Sequence, residues 1–478
     1  MGVLSNLEPA SVFYYFEEIC GIPHTSHHEK ALSDYCVQFA KAHGLACRQD
    51  ELGNVLIKAP ATPGYENQPG LILQGHLDMV GDKTADCPLD LEKDAIHPVV
   101  DGGYVCAEGT TLGGDDGIAV AYALAVLDAK DIPHPALEVV LTVCEEVGLL
   151  GASAMDFSDL EGRILVNIDS EEEGILTVSC AGGAHAAVRI PMTANECALD
   201  SAEIRISGLK GGHSGAEIDK GRANATITLG RVLQALVDKL EVRLVSAEGG
   251  LKDNAIPNAA RAVIALEDGK LPRAQEICAE LQDTFRREYA AADPDVTVTF
   301  TPGTVASQAL TLRDTKKVCC FLGLYPNGIE SMSMDIPGLV QTSCNLGIFK
   351  VNGSGLEGSG SVRSSIASRK QLLLRRIGLL AEGLDGTLCV SGESPAWEYR
   401  RESHLRDVMC KVYKDQCGQD MKVEAIHAGL ECGLFCGKIP GLDAVSFGPN
   451  LYDIHTVKEH MSISSVQRVY AYLCAVLQ

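Results

Sequence analysis

The fold is decided by a short apolar segment that ends in two polar residues, Leu71-Ile72-Leu73-Gln74-Gly75-His76-Leu77-Asp78. Its length and its leucine and isoleucine content are typical of a strand buried on both faces. Three other runs share this character and lie at residues 54–58, 137–144 and 164–168. Between them, residues 117–129 are predicted to form a helix of small residues, entered directly from a glycine-rich loop. Strands that alternate with helices predict an α/β fold with a mostly parallel central sheet and helices on both faces.

The chain has 478 residues, which is longer than one hydrophobic core usually supports. Its pattern changes near residue 191, where half-exposed strands such as 202–207 alternate with amphipathic helices such as 223–239. The inserted part resembles two units, each with helices on an antiparallel sheet. After residue 395 the first pattern returns. We therefore predict one α/β domain made of residues 1–190 and 396–478, interrupted by an inserted α+β domain of residues 191–395.

Composition argues against several classes of protein. The formal net charge is -24 and no basic patch is visible, which disfavours a nucleic-acid partner. The chain contains no run of 18 apolar residues, so no membrane-spanning helix is expected. The first seven residues lack the basic and then apolar pattern of a secretory signal, and the 18 cysteines form no Cys-x-x-Cys pair. These features predict free thiols and a cytoplasmic location.

Seven polar residues stand where predicted strands end or a helix begins. They are His76, Asp78, Asp115, Glu145, Glu146, Asp169 and His455. Each has an ordinary explanation on its own, such as helix capping or a charged strand end. Together they are expected at one rim, because functional groups of open α/β sheets gather outside the carboxyl ends of the strands. Mixed histidine and carboxylate ligands suit zinc, or manganese or cobalt, so we predict a metal site there.

The order of these motifs resembles that of a known group of peptidases. The sequence His-x-Asp, Gly-x-Asp-Asp, Glu-Glu, Asp and a late His is similar, over almost the whole chain, to the co-catalytic di-zinc peptidases, which include glutamate carboxypeptidase, acetylornithine deacetylase and the carnosinases. Four longer strings resemble the bacterial aminoacyl-histidine dipeptidase (PepD-type) branch: residues 109–117, residues 167–174, Asn254-Ala255-Ile256-Pro257 and residues 427–433. The resemblance implies a metallopeptidase whose inserted domain serves as a lid and in dimerisation.

The resemblance also implies a role for each of the seven residues. His76 and Asp169 would bind one zinc ion, Glu146 and His455 would bind the other, and Asp115 would bridge both. Asp78 would accept a hydrogen bond from His76 and orient it, and Glu145 would be the general base for a zinc-bridged water. Two departures occur: Asp116 stands where close relatives often carry asparagine, and residues 456–459 are a loose version of the loop after the last histidine. Neither removes a ligand.

Substrate contacts and assembly are implied by the resemblance alone. His213, within Gly211-Gly212-His213-Ser214-Gly215, resembles a lid histidine that stabilises the carbonyl oxygen of the substrate. Asn254 and Arg363 would contact the substrate carboxylate, and Glu431 would pair with its α-ammonium group. The implied substrates are Xaa-His dipeptides such as β-alanyl-histidine, and the implied assembly is a homodimer. The sequence leaves open whether His213 serves its own active site or a partner's.

Two alternatives to this function remain at the level of sequence. Another dipeptidase or an amide deacylase could use the same metals, because motif spacing does not reveal how the ends of a substrate are recognised. A metal-binding scaffold without turnover belongs to a different class. The presence of Glu145 beside a complete ligand set argues against the scaffold, because a scaffold needs no general base.

Overall fold

The computed structural model describes residues 2–478, and these divide into two compact units. The first unit comprises the chain up to Cys180 together with Tyr399–Ala425 and Leu430–Gln478. The second comprises Ala181–Glu398 and Ile426–Gly429. We call them the α/β unit and the inserted unit. The inserted unit begins before the expected residue 191, because the strand that precedes this position pairs within the inserted unit.

The described residues contain eleven α-helices and 24 strands. In chain order, the helices are α1 Ala10–Cys20, α2 Lys30–Ala42, α3 Gly114–Asp128, α4 Leu150–Ala154, α5 Ala225–Val237, α6 Leu271–Glu288, α7 Leu312–Leu324, α8 Ala367–Gly383, α9 His404–Cys417, α10 Glu431–Lys438 and α11 Ile463–Val476. The strands are β1 Ala46–Gln49, β2 Val55–Ala59, β3 Leu71–His76, β4 Pro98–Asp101, β5 Tyr104–Ala107, β6 Leu137–Thr142, β7 Ile164–Asn167, β8 Ile175–Cys180, β9 Gly182–Pro191, β10 Ala194–Ser207, β11 Gly212–His213, β12 Arg243–Gly249, β13 Ala255–Ile256, β14 Ala260–Leu266, β15 Thr297–Pro302, β16 Ala306–Leu310, β17 Gly328–Met332, β18 Val340–Asn352, β19 Gly355–Ser364, β20 Thr387–Ser391, β21 Lys422–Ile426, β22 Asp443–Ser446, β23 Leu451–Tyr452 and β24 His460–Ser462. None of these helices is long and apolar enough to cross a bilayer.

The α/β unit is built on an eight-stranded sheet with the order β1-β2-β6-β3-β7-β22-β8-β21. Its centre is parallel, since β3 pairs in parallel with both β6 and β7, and β22 pairs in parallel with β7. Every residue of β3 and β6 is buried, as their mostly apolar runs predicted. The strands β1 and β2 continue the sheet in antiparallel orientation. The predicted α/β fold with an inserted domain is confirmed, and its sheet is mixed at the edges.

Two further elements of the α/β unit carry candidate site residues. Helix α3 spans Gly114–Asp128, but Asp115 and Asp116 have non-helical backbone angles, so its regular part begins at the expected residue 117. Every residue in it except Asp128 is buried. A small sheet with the order β23-β24-β5-β4 holds the loop that joins β23 to β24. His455 lies in that loop.

The inserted unit contains a ten-stranded sheet whose main path is β15-β10-β14-β12-β18-β19-β9-β20, with β16 and β17 paired beside it. The described strand pairs in this sheet are antiparallel, and β12 pairs with β18 at its middle. The two predicted units of helices on an antiparallel sheet therefore share one continuous sheet. A separate pair, β11 with β13, sets His213 opposite Ala255. The inserted unit has its own core, in which Phe321 stacks on Phe349.

Candidate metal centre

The seven residues singled out in the sequence all lie in the α/β unit, and they meet beyond the carboxyl ends of its central strands. His76 ends β3, Glu145 and Glu146 follow β6, and Asp169 follows β7. Parallel neighbours end at the same edge, which brings these side chains together. Asp115 lies just before the regular part of α3, and His455 lies in the loop between β23 and β24.

Asp115 lies between the two histidines. Its Oδ1 is 3.3 Å from His76 Nε2, and its Oδ2 is 3.1 Å from His455 Nε2. One carboxylate therefore offers a different oxygen to each imidazole. His455 lies on the solvent-exposed side of the cluster: 41% of its side chain is exposed, whereas the side chain of Asp115 is 10% exposed.

The remaining carboxylates divide between the same two histidines. His76 Nε2 is 3.9 Å from Asp169 Oδ1, and His455 Nε2 is 2.8 Å from Glu146 Oε1. Potential ligand atoms lie within 4.8 Å of one another in three groups. The groups are Asp115 with Glu146 and His455, His76 with Glu145 and Glu146, and His76 with Asp116 and Asp169.

The chemistry of this donor set fits divalent metal ions. Burial raises the pKa of Asp169 well above its usual value, and its Oδ2 is buried without a hydrogen-bond partner among the described residues. Hydrogen bonds with Asp115 and Glu146 raise the pKa of His455 to about 10. The pocket thus stabilises positive charge and leaves carboxylate oxygens unsatisfied. Imidazole nitrogens and carboxylate oxygens in this density suit zinc and neighbouring transition metals.

Asp78 contacts both His76 and the segment that carries the two glutamates. His76 Nδ1 lies 2.9 Å from the backbone carbonyl oxygen of Asp78 and 3.5 Å from its Oδ1. The shorter contact is therefore to the main chain and not to the expected carboxylate. The carboxylate accepts hydrogen bonds from the backbone N–H of Glu145 at 2.8 Å and of Glu146 at 3.2 Å, and from Ser26 Oγ at 2.8 Å. The Asp78 carboxylate therefore lies closer to the backbone of the glutamate segment than to the imidazole of His76.

Glu145 is partly buried in this cluster. Burial raises the pKa of the Glu145 carboxyl to about 8, and the charge of His76 opposes that rise. The preceding residue is anchored as well, because Glu29 Oε1 accepts the backbone N–H of Cys144 at 3.0 Å. A carboxyl group in such a place can take up and release a proton near neutral pH.

Asp116 differs from Asp115 in the direction of its carboxylate. Asp116 Oδ2 accepts the backbone N–H of His76 at 3.0 Å, and the residue is buried. Its carboxylate is thus partly engaged by β3, while both oxygens of Asp115 face imidazole rings. The peptide bond that joins the two aspartates is cis.

Three of the expected substrate contacts lie together within the inserted unit. The backbone N–H of Ser214, next to His213, donates to the carbonyl oxygen of Asn254 at 2.9 Å. Arg363 and His213 both lie against Gly215, where an added Cβ would be 3.1 Å from Arg363 Nε and 3.0 Å from His213 Cε1. Burial and the nearby guanidinium of Arg363 lower the pKa of His213. Arg363 Nε is buried with no hydrogen-bond partner among residues 2–478.

Glu431 lies in the interior of the α/β unit. It is fully buried at the start of α10, and its Oε2 accepts hydrogen bonds from Gln74 Nε2 and from Thr142 Oγ1, the latter at 2.6 Å. Burial raises the pKa of Glu431 to about 7. Its Oε1 has no hydrogen-bond partner in the described part of the chain. Only this oxygen is left for a further contact such as the expected α-ammonium group.

Two residues near these sites, His427 and Glu459, were not among the predicted site residues. His427 belongs to the inserted unit, where its Nε2 lies 2.7 Å from Ser343 Oγ. Burial and the charge of Arg363 lower the pKa of His427 to about 4. Glu459 is buried in the α/β unit, and its carboxylate accepts backbone hydrogen bonds from the turn that carries Asp115. His427 opens the quoted string 427–433, but nothing in the local sequence indicates the contacts of Glu459.

Comparisons with known proteins agree on one family. A model described as peptidase family M20/M25/M40 matches residues 72–478. The cytosol non-specific dipeptidase of Escherichia coli (strain K12) is 35% identical over 480 residues, which cover 100% of this chain and 99% of that protein. The solved structure of aminoacylhistidine dipeptidase from Vibrio alginolyticus has a TM-score of 0.95 at 36% identity and covers 99% of this chain and 97% of that one. The aminopeptidase PepT of Bacillus cereus ATCC 10987 matches at 15% identity with a TM-score of 0.56 over 98% of both chains, which shows the fold alone.

These likenesses show that the chain belongs to peptidase family M20/M25/M40 and is a hydrolase. The resemblance drawn from the motifs is thereby confirmed, and so is the prediction of an enzyme. The roles of individual residues stay predictions.

Proposed function

From membership of this peptidase family, we propose that the chain is a dipeptidase that uses two divalent metal ions and prefers Xaa-His dipeptides such as β-alanyl-histidine. The observation that carries the proposal is the position of Asp115, which offers one oxygen to His76 and the other to His455. Zinc is the proposed metal, with manganese or cobalt as substitutes.

The proposed ligands follow the two histidines. His76 and Asp169 would hold one ion, and Glu146 and His455 the other, with Asp115 shared between them. When bound, the two ions supply Lewis acidity and lower the pKa of a water molecule held between them. Asp78 supports this set by fixing the backbone of Glu145 and Glu146.

Glu145 is the proposed general base. Its carboxylate accepts a proton from the attacking water and then donates that proton to the amine that leaves when the peptide bond breaks. Its partly buried position supports this role, since desolvation raises the pKa of the carboxyl. A proton carrier of this kind also favours catalysis over a metal-binding scaffold.

Substrate recognition is proposed to involve the inserted unit and Glu431. Arg363, whose buried Nε lacks a partner among the described residues, would grip the carboxylate of the dipeptide together with Asn254. His213 would donate a hydrogen bond to the carbonyl oxygen as negative charge develops there. Glu431 would receive the α-ammonium group through Oε1. The Xaa-His preference is supported by the name of the Vibrio alginolyticus relative.

The proposal is tested by a dipeptide panel with metal content measured on the same sample. The panel compares β-alanyl-histidine and other Xaa-His dipeptides with dipeptides that end in other residues and with N-acetyl amino acids. We expect the highest kcat/KM for Xaa-His dipeptides. Equal rates on all free dipeptides would favour a broad dipeptidase, which matches the name of the Escherichia coli relative. Preferred cleavage of N-acetyl amino acids would favour an amide deacylase and overturn the dipeptidase proposal.

We also propose that the enzyme is a cytoplasmic homodimer. The name of the Escherichia coli relative supports the location, and the motif resemblance supports the assembly. Sedimentation of the purified protein tests the dimer. Mixing subunits that carry Glu145→Ala with subunits that carry His213→Ala tests whether the histidine acts across subunits: activity that recovers on mixing requires action in trans.

A further inference from the structure

A single buried carboxylate accepts the four backbone N–H groups of the turn that carries Asp115. Glu459 is 3% exposed. Its Oε2 accepts from Leu112 at 2.8 Å and from Gly113 at 3.2 Å. Its Oε1 accepts from Gly114 at 2.8 Å and from Asp115 at 3.3 Å. Both oxygens are thus used on backbone groups of one turn.

The need for this carboxylate follows from the backbone of the turn. Buried N–H groups require partners. Asp115 and Asp116 have non-helical backbone angles, so the regular part of α3 begins only at Gly117, and the N–H groups of residues 112–115 precede it. These residues are buried, and Gly113 and Gly114 have no side chains that could accept the N–H groups. Glu459 therefore satisfies them from a segment more than 340 residues away along the chain.

The glycines of the turn allow this close approach. Gly113 has a φ of 73°, in the left-handed region that favours glycine. A Cβ on Gly114 would lie 3.2 Å from Glu459 Oε1 and 3.1 Å from Leu451 Cδ2. A side chain at Gly114 would therefore push the carboxylate away from the N–H groups.

Glu459 and His455 lie in the same loop, which joins β23 to β24. Both residues contact Asp115: His455 Nε2 lies near its side-chain Oδ2, and Glu459 Oε1 accepts its backbone N–H. The backbone N–H of Glu459 in turn donates to the carbonyl oxygen of Thr456 at 3.1 Å, which closes the loop behind the histidine. The position of Asp115 is therefore tied to the loop that carries His455.

We propose that Glu459 is a positioning residue that sets the distance between Asp115 and His455, and so the geometry that two metal ions require. The inference rests on the proposed function, in which these two side chains share a metal. Glu459 itself touches neither substrate nor the reacting atoms. Its effect is expected in metal affinity and kcat, with KM little changed, because substrate contacts are proposed elsewhere.

The experiment compares Glu459→Gln with a matched control, Glu138→Gln. Glu138 is also buried and also accepts backbone N–H groups, from Glu161 and Gly162, but it lies at the start of β6, at the opposite end of that strand from the site. Four measurements are made on each variant: hydrogen exchange of the metal-free protein, the thermal midpoint of unfolding, zinc affinity by chelator competition, and the separate values of kcat and KM.

For Glu459→Gln we expect faster exchange of the amides of residues 112–115, and losses of about 10- to 100-fold in zinc affinity and kcat. The NH₂ group of glutamine can only donate, so two of the four backbone N–H groups would lose their acceptor, and this explains the expected losses. Glu138→Gln should lower the thermal midpoint and leave zinc affinity unchanged. Glu459→Asp keeps the charge, and its exchange rates, zinc affinity and kcat should lie between those of the wild type and Glu459→Gln. This variant allows the same test if the glutamine variant fails to fold.

Unchanged exchange at residues 112–115, or wild-type zinc affinity in Glu459→Gln, would overturn the inference. An equal loss of zinc affinity in Glu138→Gln would also overturn it, because the effect would then reflect general destabilisation. Failure of the proposed function is seen separately, as a wild-type protein that neither binds zinc nor cleaves dipeptides. Exchange in the metal-free protein still decides whether Glu459 holds the turn.

Discussion

His427 should make the stability of the enzyme depend on pH in a defined window. Its pKa is lowered from 6.5 to about 4 by burial and by the charge of Arg363, so the folded protein keeps this imidazole neutral. The unfolded chain binds a proton at His427 below about pH 6.5. The contribution of His427 to stability is therefore fully present above pH 6.5 and is lost as the pH falls toward 4.

The magnitude follows from the difference between the two pKa values. At about 1.4 kcal/mol for each pKa unit, the full loss is about 3 kcal/mol, of which about 2 kcal/mol is gone at about pH 5. Urea unfolding of the wild type and of His427→Gln across this range measures it. Glutamine keeps a partner for Ser343 and does not titrate, so the difference between the two free energies of unfolding should change by about 2 kcal/mol between about pH 8 and about pH 5. Parallel curves for the two proteins would refute the reasoning.

Three further predictions concern catalysis and substrate binding. Glu145→Gln should retain both metal ions and lose about 10²- to 10⁴-fold in kcat, because it removes only the proton carrier; a metal-replete variant with normal turnover would contradict that role. Arg363→Lys should raise KM for dipeptides by about tenfold while zinc content stays unchanged, because a lysine cannot form a two-pronged contact with a carboxylate. Glu431→Gln should narrow the difference in KM between free and N-blocked dipeptides, and an unchanged difference would remove Glu431 from substrate binding.

The central sheet could be predicted from sequence because its strands are buried on both faces. A short, mostly apolar run such as that of β3 or β6 indicates such a strand without reference to its neighbours. The candidate site residues could be grouped for the same reason, since His76 ends a predicted strand and Glu145 and Asp169 each follow one. The order of parallel strands then brings them to one edge of the sheet.

Contacts between distant segments could not be predicted in this way. The bond from Glu459 to the turn before α3 depends on how the β23–β24 loop packs, and nothing in the local sequence encodes a partner so far away. Strand β9 alternates between buried and more exposed residues like many strands, and only its pairing with β19 and β20 assigns it to the inserted unit, which therefore begins before residue 191. The segment Ile426–Gly429 joins the inserted unit although it follows residue 395 by a long stretch of chain.

The central claim is that one aspartate bridges two metal ions. It is tested most directly by the zinc content of purified wild type, Asp115→Ala and His455→Ala after reconstitution and removal of free metal. We predict two zinc ions per chain in the wild type, loss of both in Asp115→Ala, and loss of only one in His455→Ala, because Asp115 faces both imidazoles and His455 faces one side of it. Two tightly bound zinc ions in Asp115→Ala would contradict the account.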